Sequence, residues 1–138
     1  MSDILKLTVS SEVSELSTIT DSADEYLEAM ACPMKAQTQI DVVIDEIFSN
    51  ISFYAYGGQV GEVTFEMAPL PGDVGVKLTF SDYGVPYNPL LKEDPDTTLS
   101  AEEREIGGLG IFIVKKMMDS VEYTRENDQN ILVMTKNF

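Results

Sequence analysis

The sequence predicts an α/β (α+β) two-layer sandwich, a mixed and mostly antiparallel sheet with about three helices on one face. Three observations predict it. Apolar and polar residues alternate over five short segments, the period of half-buried strands. Ile40, Val43, Ile44, Ile47 and Ile51 recur at helical spacing, and two other segments share that period. The order is strand, helices, two strands, long loop, helix, hairpin, which suits one sheet with helices packed against it. A chain of 138 residues fits one domain, residues 1–138.

Each element has its own signal. Leu5, Leu7 and Val9 alternate with Lys6 and Thr8, a strand. Val13, Leu16, Ile19, Ala23, Tyr26, Leu27 and Met30 then follow helical spacing, with Thr20 or Asp21 placed to interrupt it. Cys32-Pro33 punctuates the chain, and the Ile40–Ile51 stripe makes the clearest helix, ended by Gly57-Gly58. Val63, Phe65 and Met67 mark one strand, and Val74, Val76, Leu78 and Phe80 the next. The turn between them is Pro69-Leu70-Pro71-Gly72-Asp73. From Tyr83 to Gly110 the periodicity disappears, and so long a connection in a small domain is usually functional or mobile. A helix resumes at about Gly110 with Ile111, Ile113, Val114, Met117 and Met118 apolar. Val121 to Arg125 and Ile131 to Lys136 form a hairpin around Asn127-Asp128.

Composition excludes several function classes. Nine basic against 24 acidic residues give a net charge of −15, with no histidine. That balance disfavours nucleic acid and anionic membranes, whose phosphates need Lys and Arg. One small anion is still within reach of backbone N–H groups and a metal ion. The absence of histidine removes His-based triads, metal sites and proton relays. Cys32 is alone, so it forms no intrachain disulfide and no zinc cluster. The N-terminus lacks the basic and apolar regions of a signal peptide, and no apolar run approaches the ~20 residues of a membrane span. A cytoplasmic protein is expected.

Three places have the residue types for chemistry. Glu46 and Asn50 lie one helical turn apart, beside the apolar stripe. An Asn oxygen suits a hard cation such as Mg²⁺, and a nearby carboxylate accepts a proton. Two ordinary residues at a helix boundary would look the same. Asp82-Tyr83-Gly84 directly follows a strand, where a carboxylate is able to accept from an exocyclic amine and a glycine lets a flat ring approach. An Asx turn is the plain alternative. Gly107-Gly108-Leu109-Gly110 precedes a helix, a place where free N–H groups and the helix dipole receive an anion. A flexible hinge is the plain alternative there.

Taken together, the three are more specific. The order of acidic-plus-Asn helix, strand-Asp-x-Gly, loop, glycine cluster and helix resembles the GHKL (Bergerat-fold) ATPase-kinase superfamily. It is most similar to the anti-sigma factor serine/threonine kinase branch. Glu46 to Tyr56 resembles the N-box, Phe80 to Pro89 the G1 box, and Ile106 to Asp119 the G2 box. The resemblance implies ATP and Mg²⁺ as cofactors. It implies Asn50 as the Mg²⁺ ligand, Glu46 as the catalytic base and Asp82 as acceptor from the adenine amine. Gly84 would lie beneath the base, and Gly107, Gly108, Leu109 and Gly110 around the phosphates. Leu90 to Ile106 would be the lid over ATP.

The implied function is a serine/threonine protein kinase that phosphorylates an anti-anti-sigma (STAS-type) partner. It would bind that partner or a sigma factor, with a homodimer allowed. A nucleotide-gated regulatory module without phosphotransfer is the alternative, and a domain that binds no nucleotide is the third reading. The sequence departs from the family at Tyr54 and near Phe112, where relatives often have His. Gln129-Asn130 replaces a frequent Gly-Thr, a change expected to weaken support of the adenine pocket.

Overall fold

The computed structural model describes residues 4–91 and 108–138. The chain opens with strand β1 (Leu5–Ser10), whose Leu5, Leu7 and Val9 lean on the core while Lys6 and Thr8 face water. After a 3-10 turn at Val13–Glu15 comes helix α1 (Leu16–Ala29), then helix α2 (Met34–Tyr54). Strands β2 (Glu62–Pro69) and β3 (Gly75–Asp82) follow. Helix α3 (Gly108–Met117) leads to the hairpin β4 (Ser120–Glu126) and β5 (Gln129–Asn137).

The sheet order is β1-β2-β3-β5-β4, and every one of these pairings is antiparallel. The expected mixed, mostly antiparallel sheet is therefore antiparallel throughout the described residues. The last strand passes between β3 and β4, which sets Asp82 directly opposite Asn130. Alternation decides which residues face inward. Val63, Phe65 and Met67 of β2 point to the helices, as do Val76, Leu78 and Phe80 of β3 and Leu132 and Met134 of β5. The Phe65 and Phe80 rings meet with centroids 4.9 Å apart. Asp82 and Asn130 fall on the same inward parity, at the end of the sheet.

Helix α2 lies between α1 and α3 and buries Ile40, Val43, Ile44, Ile47 and Phe48. α1 meets it with Ile19, Ala23 and Leu27. α1 runs unbroken through Thr20 and Asp21, because Ile19 and Ala23 anchor both sides of them in the core; the break comes earlier, at Val13–Glu15. It ends in a Schellman motif: Cys32 N–H bonds the Leu27 carbonyl at 3.0 Å and Ala31 N–H the Glu28 carbonyl at 3.0 Å. Ala31 holds the left-handed position, φ 58°, where glycine is usual.

α3 begins at Gly108, two residues before the expected start, so Gly108, Leu109 and Gly110 form its first turn. Gly107 and nearly all of the expected lid lie outside the described residues; Leu90 and Leu91 belong to a 3-10 turn, Pro89–Leu91. No helix among the described residues is long and apolar enough to cross a membrane.

Candidate nucleotide site

At the end of the sheet a cleft of about 480 Å³, counting space open to solvent, separates α2 from β3, β4 and β5. Its α2 wall is Ile47, Asn50, Ile51, Tyr54 and Ala55. Phe80, Asp82 and Leu132 form the sheet side, with Val85, Tyr87 and Pro89 closing it from the loop after β3. Tyr123 and Asn130 complete the lining. The surface is thus largely apolar with a few polar groups, the composition of a site for a flat, partly apolar ligand.

Asp82 is only 5% exposed at the base of this cleft. Its Oδ1 accepts from Gly84 N–H at 2.8 Å and from the Asn130 side-chain amide at 2.9 Å. The Gly84 bond is the Asx turn, so the plain reading of this motif is correct and compatible with the other. The turn and the amide consume one carboxylate oxygen and leave acceptor capacity on the second.

Gly84 is required by close packing. A Cβ there would lie 2.6 Å from Ala55 Cβ and would run into the Ala55 carbonyl. That carbonyl accepts from Val85 N–H at 2.9 Å, which docks the loop on the end of α2. Gly84 itself is not among the lining residues; Val85 takes that place. Two further groups brace the loop. Tyr56 Oη accepts from Tyr83 N–H at 2.8 Å and donates to the Glu62 carbonyl. Arg125 Nη1 donates to the Gly84 carbonyl at 2.8 Å.

Asn50 and Glu46 divide along α2. Asn50 lines the cleft, whereas Glu46 sits one turn back, against the first turn of α3. A Cβ on Gly110 would collide with Glu46 Oε2, so the glycine makes room for this carboxylate. Burial first, and then the neighbouring Asp45 charge, pushes the Glu46 carboxyl above its ordinary value. Among the described residues no group of three or more His, Cys, Asp or Glu side chains is placed to hold a metal. A divalent ion would therefore depend on the Asn50 oxygen together with phosphate oxygens and water, the donor set that suits Mg²⁺.

The structure thus brings Asn50 and Asp82 into one cleft, with Glu46 and Gly110 in contact beyond it. The chain matches the histidine kinase-like ATPase domain over residues 9–136. It belongs to that family. Family membership supports an ATP-binding regulatory or kinase-type function. Among curated proteins none matches this chain. Among solved structures it is similar to the RsbU and RsbW domains of Rv1364c from Mycobacterium tuberculosis, with a TM-score of 0.70 and 14% identity. The likeness covers 98% of this chain and 32% of that one, so this ATPase domain spans about a third of its length. At that identity the likeness is one of fold.

The sequence reading missed the residues that hold Asp82 in place. Asn130, where relatives often carry the Thr of Gly-Thr, lies in the structure beside Asp82. Its amide bonds Asp82 directly and is 7% exposed. Tyr56 and Arg125, which brace the loop through Tyr83 and Gly84, carry no local signal of that role in the sequence. Gly61 leaves room for the Tyr56 ring, with which a Cβ there would collide.

Proposed function

We propose that this ATPase domain is an ATP- and Mg²⁺-dependent serine/threonine protein kinase of the anti-sigma type. Its substrate would be a hydroxyl of a small anti-anti-sigma (STAS-type) protein. One observation carries this reading. Along α2, Ala55 meets the Gly84 loop, Asn50 lines the cleft and Glu46 meets Gly110 at the start of α3. Nine residues of helix, roughly 13 Å, separate the two ends, a length that suits a nucleoside triphosphate lying along it.

In this reading Asp82 accepts from the adenine amine while Val85, Ile51 and Leu132 flank the ring. Asn50 would hold Mg²⁺, which supplies charge neutralisation on the phosphates when bound. The N–H groups of the first turn of α3 receive the terminal phosphates. Glu46 takes the proton of the attacking hydroxyl as the oxygen bonds to the γ-phosphorus and ADP departs. A raised carboxyl pKa makes Glu46 a better proton acceptor than an ordinary surface glutamate. The neighbour's RsbW domain is consistent with a partner-switching role.

The test is incubation with labelled ATP, Mg²⁺ and candidate STAS-type partners encoded beside this chain. Transfer of label to one partner serine or threonine is expected. Nucleotide binding without transfer to any cognate partner replaces this reading with a nucleotide-gated regulatory module. No nucleotide binding rejects both.

A further inference from the structure

Asn130 occupies the inward position of β5 directly across from Asp82. Its side-chain nitrogen donates to Asp82 Oδ1 at 2.9 Å and to the Val85 carbonyl at 2.8 Å. Its side-chain oxygen accepts from Tyr87 N–H at 3.2 Å and from the Tyr123 hydroxyl at 2.5 Å. A primary amide offers two N–H donors and two oxygen lone pairs. All four are used. The partners also fix which way the amide points, because reversing it would aim the oxygen at two acceptors, Asp82 Oδ1 and the Val85 carbonyl, and the nitrogen at the Tyr87 N–H.

Two consequences follow from a fully used amide. Asn130 has no donor or acceptor left for a ligand, so it acts on one only through its neighbours. Those neighbours are the base-recognising carboxylate and three residues of the cleft wall, Val85, Tyr87 and Tyr123. With Gly84 N–H, Asn130 fills Asp82 Oδ1 with two donors. That arrangement holds the carboxylate against rotation, and it directs acceptance of a ligand N–H to Oδ2.

We propose that Asn130 is the positioning residue of the base site, which makes the cleft selective for a purine bearing an exocyclic amine without itself hydrogen-bonding the nucleotide. The proposal rests on the ATP reading above. Without Asn130 the Asp82 carboxylate keeps only its local turn bond and is free to rotate. The amine then loses its fixed acceptor, while stacking in the cleft persists.

Calorimetric titration with Mg-ATP and with Mg-purine riboside triphosphate, which lacks the amine, tests this. Wild type is expected to prefer ATP by roughly tenfold or more, as a site built around one hydrogen bond does. In Asn130→Ala that preference should fall to within about twofold, mainly through weaker ATP binding. Asn130→Thr, whose hydroxyl is able to donate to Asp82, should recover part of it. Asn130→Asp sets two carboxylates at hydrogen-bond distance, where they share a proton. Its ATP affinity should therefore fall, relative to wild type measured at the same pH, as pH rises. Circular dichroism identifies the variants that fold, and the Thr and Asp variants serve if Ala does not. A folded variant with the full ATP preference overturns the proposal and leaves the ATP reading standing. An equal loss of both ligands in every variant marks a scaffold role and overturns it too. No ATP preference in wild type overturns the adenine assignment, and the proposal with it.

Discussion

The Asp82 carboxylate has one oxygen filled by protein donors, and that asymmetry predicts its mutational behaviour. In Asp82→Asn the side-chain oxygen still accepts from Gly84 N–H and Asn130, so the fold survives. The new NH₂ then faces the cleft where an acceptor is needed, and a donor meets the adenine amine. A mismatch of this kind costs about 1–3 kcal/mol, so ATP affinity should fall roughly 10- to 100-fold. Calorimetry checks this, and an unchanged affinity removes Asp82 from the base site. At Glu46 the expectation separates chemistry from binding. Glu46→Gln should slow phosphotransfer on the order of 10²–10⁴ with ATP binding retained. Because burial raises the Glu46 carboxyl, the wild-type rate should climb with pH through a midpoint above the ordinary ~4.3 of glutamate. A flat pH–rate profile across that range would count against the assignment. Asp82, Glu46 and Asn50 were visible in the sequence because each sits in a short local pattern: a strand end, or one turn of helix. Asn130 was invisible for a physical reason. Its meaning depends on the β3–β5 register, which pairs it with a residue 48 positions earlier. A two-residue difference from a family pattern carries no information about such a partner.

At the scale of elements, α1 and α2 show two places where the packing is improvable. Ala31 terminates α1 in the left-handed region at φ 58°. A Cβ there costs about 1–2 kcal/mol, part of which glycine returns as chain entropy. Ala31→Gly should therefore stabilise the protein by roughly 0.5–1 kcal/mol, read as a rise in Tm; a fall in Tm would refute the strain. Between the same helices, Asp24 and Asp41 each bury one Oδ1 without a donor. They are able to bond each other only through a shared proton. Burial first, then the hydrogen bond to Asp24 and its charge, pushes the Asp41 carboxyl up to about 7. An acid raised in the folded state favours folding while protonated. This contribution is full below the ordinary 3.8 and is lost as pH rises through about 7. Asp41→Asn supplies an N–H donor at every pH. It should melt higher than wild type at pH ~8 and close to it at pH ~5, flattening the profile. An unaltered Tm–pH curve would show that the pair shares no proton. Helix and strand identities were legible from periodicity alone, while boundaries were not. α1 starts late because its first turn is 3-10, and α3 starts early because glycines join its first turn against Glu46. Neither contact is written in a local pattern.

The whole molecule carries a net charge of −15. Like charges held close together oppose the compact state, and salt screens them over a Debye length of about 10 Å at 0.1 M. The protein should therefore melt higher in ~0.5 M NaCl than in ~0.02 M, with calorimetry as the check; a fall with salt would mean that specific ion pairs outweigh the overall repulsion. The architecture was the most legible level, since the order of strand, helix and hairpin signals leaves few compact arrangements. What it did not reveal was the sheet order. β2 and β3 are joined by a short turn and pair as neighbours in sequence, but the far side of β3 waits for β5, at Gln129–Asn137. During synthesis at the ribosome, β3 therefore emerges with one side paired and the other side bare. Bare strand edges recruit other chains, so this interval exposes an edge on which the nascent polypeptide is able to aggregate. The same delay governs ligand competence. Asp82 is translated long before Asn130, and the pair is set only when the final strand zips into place. A nascent chain stalled before β5 has Asp82 but no finished pocket, so a nucleotide is unable to act as a folding ligand until that strand has emerged.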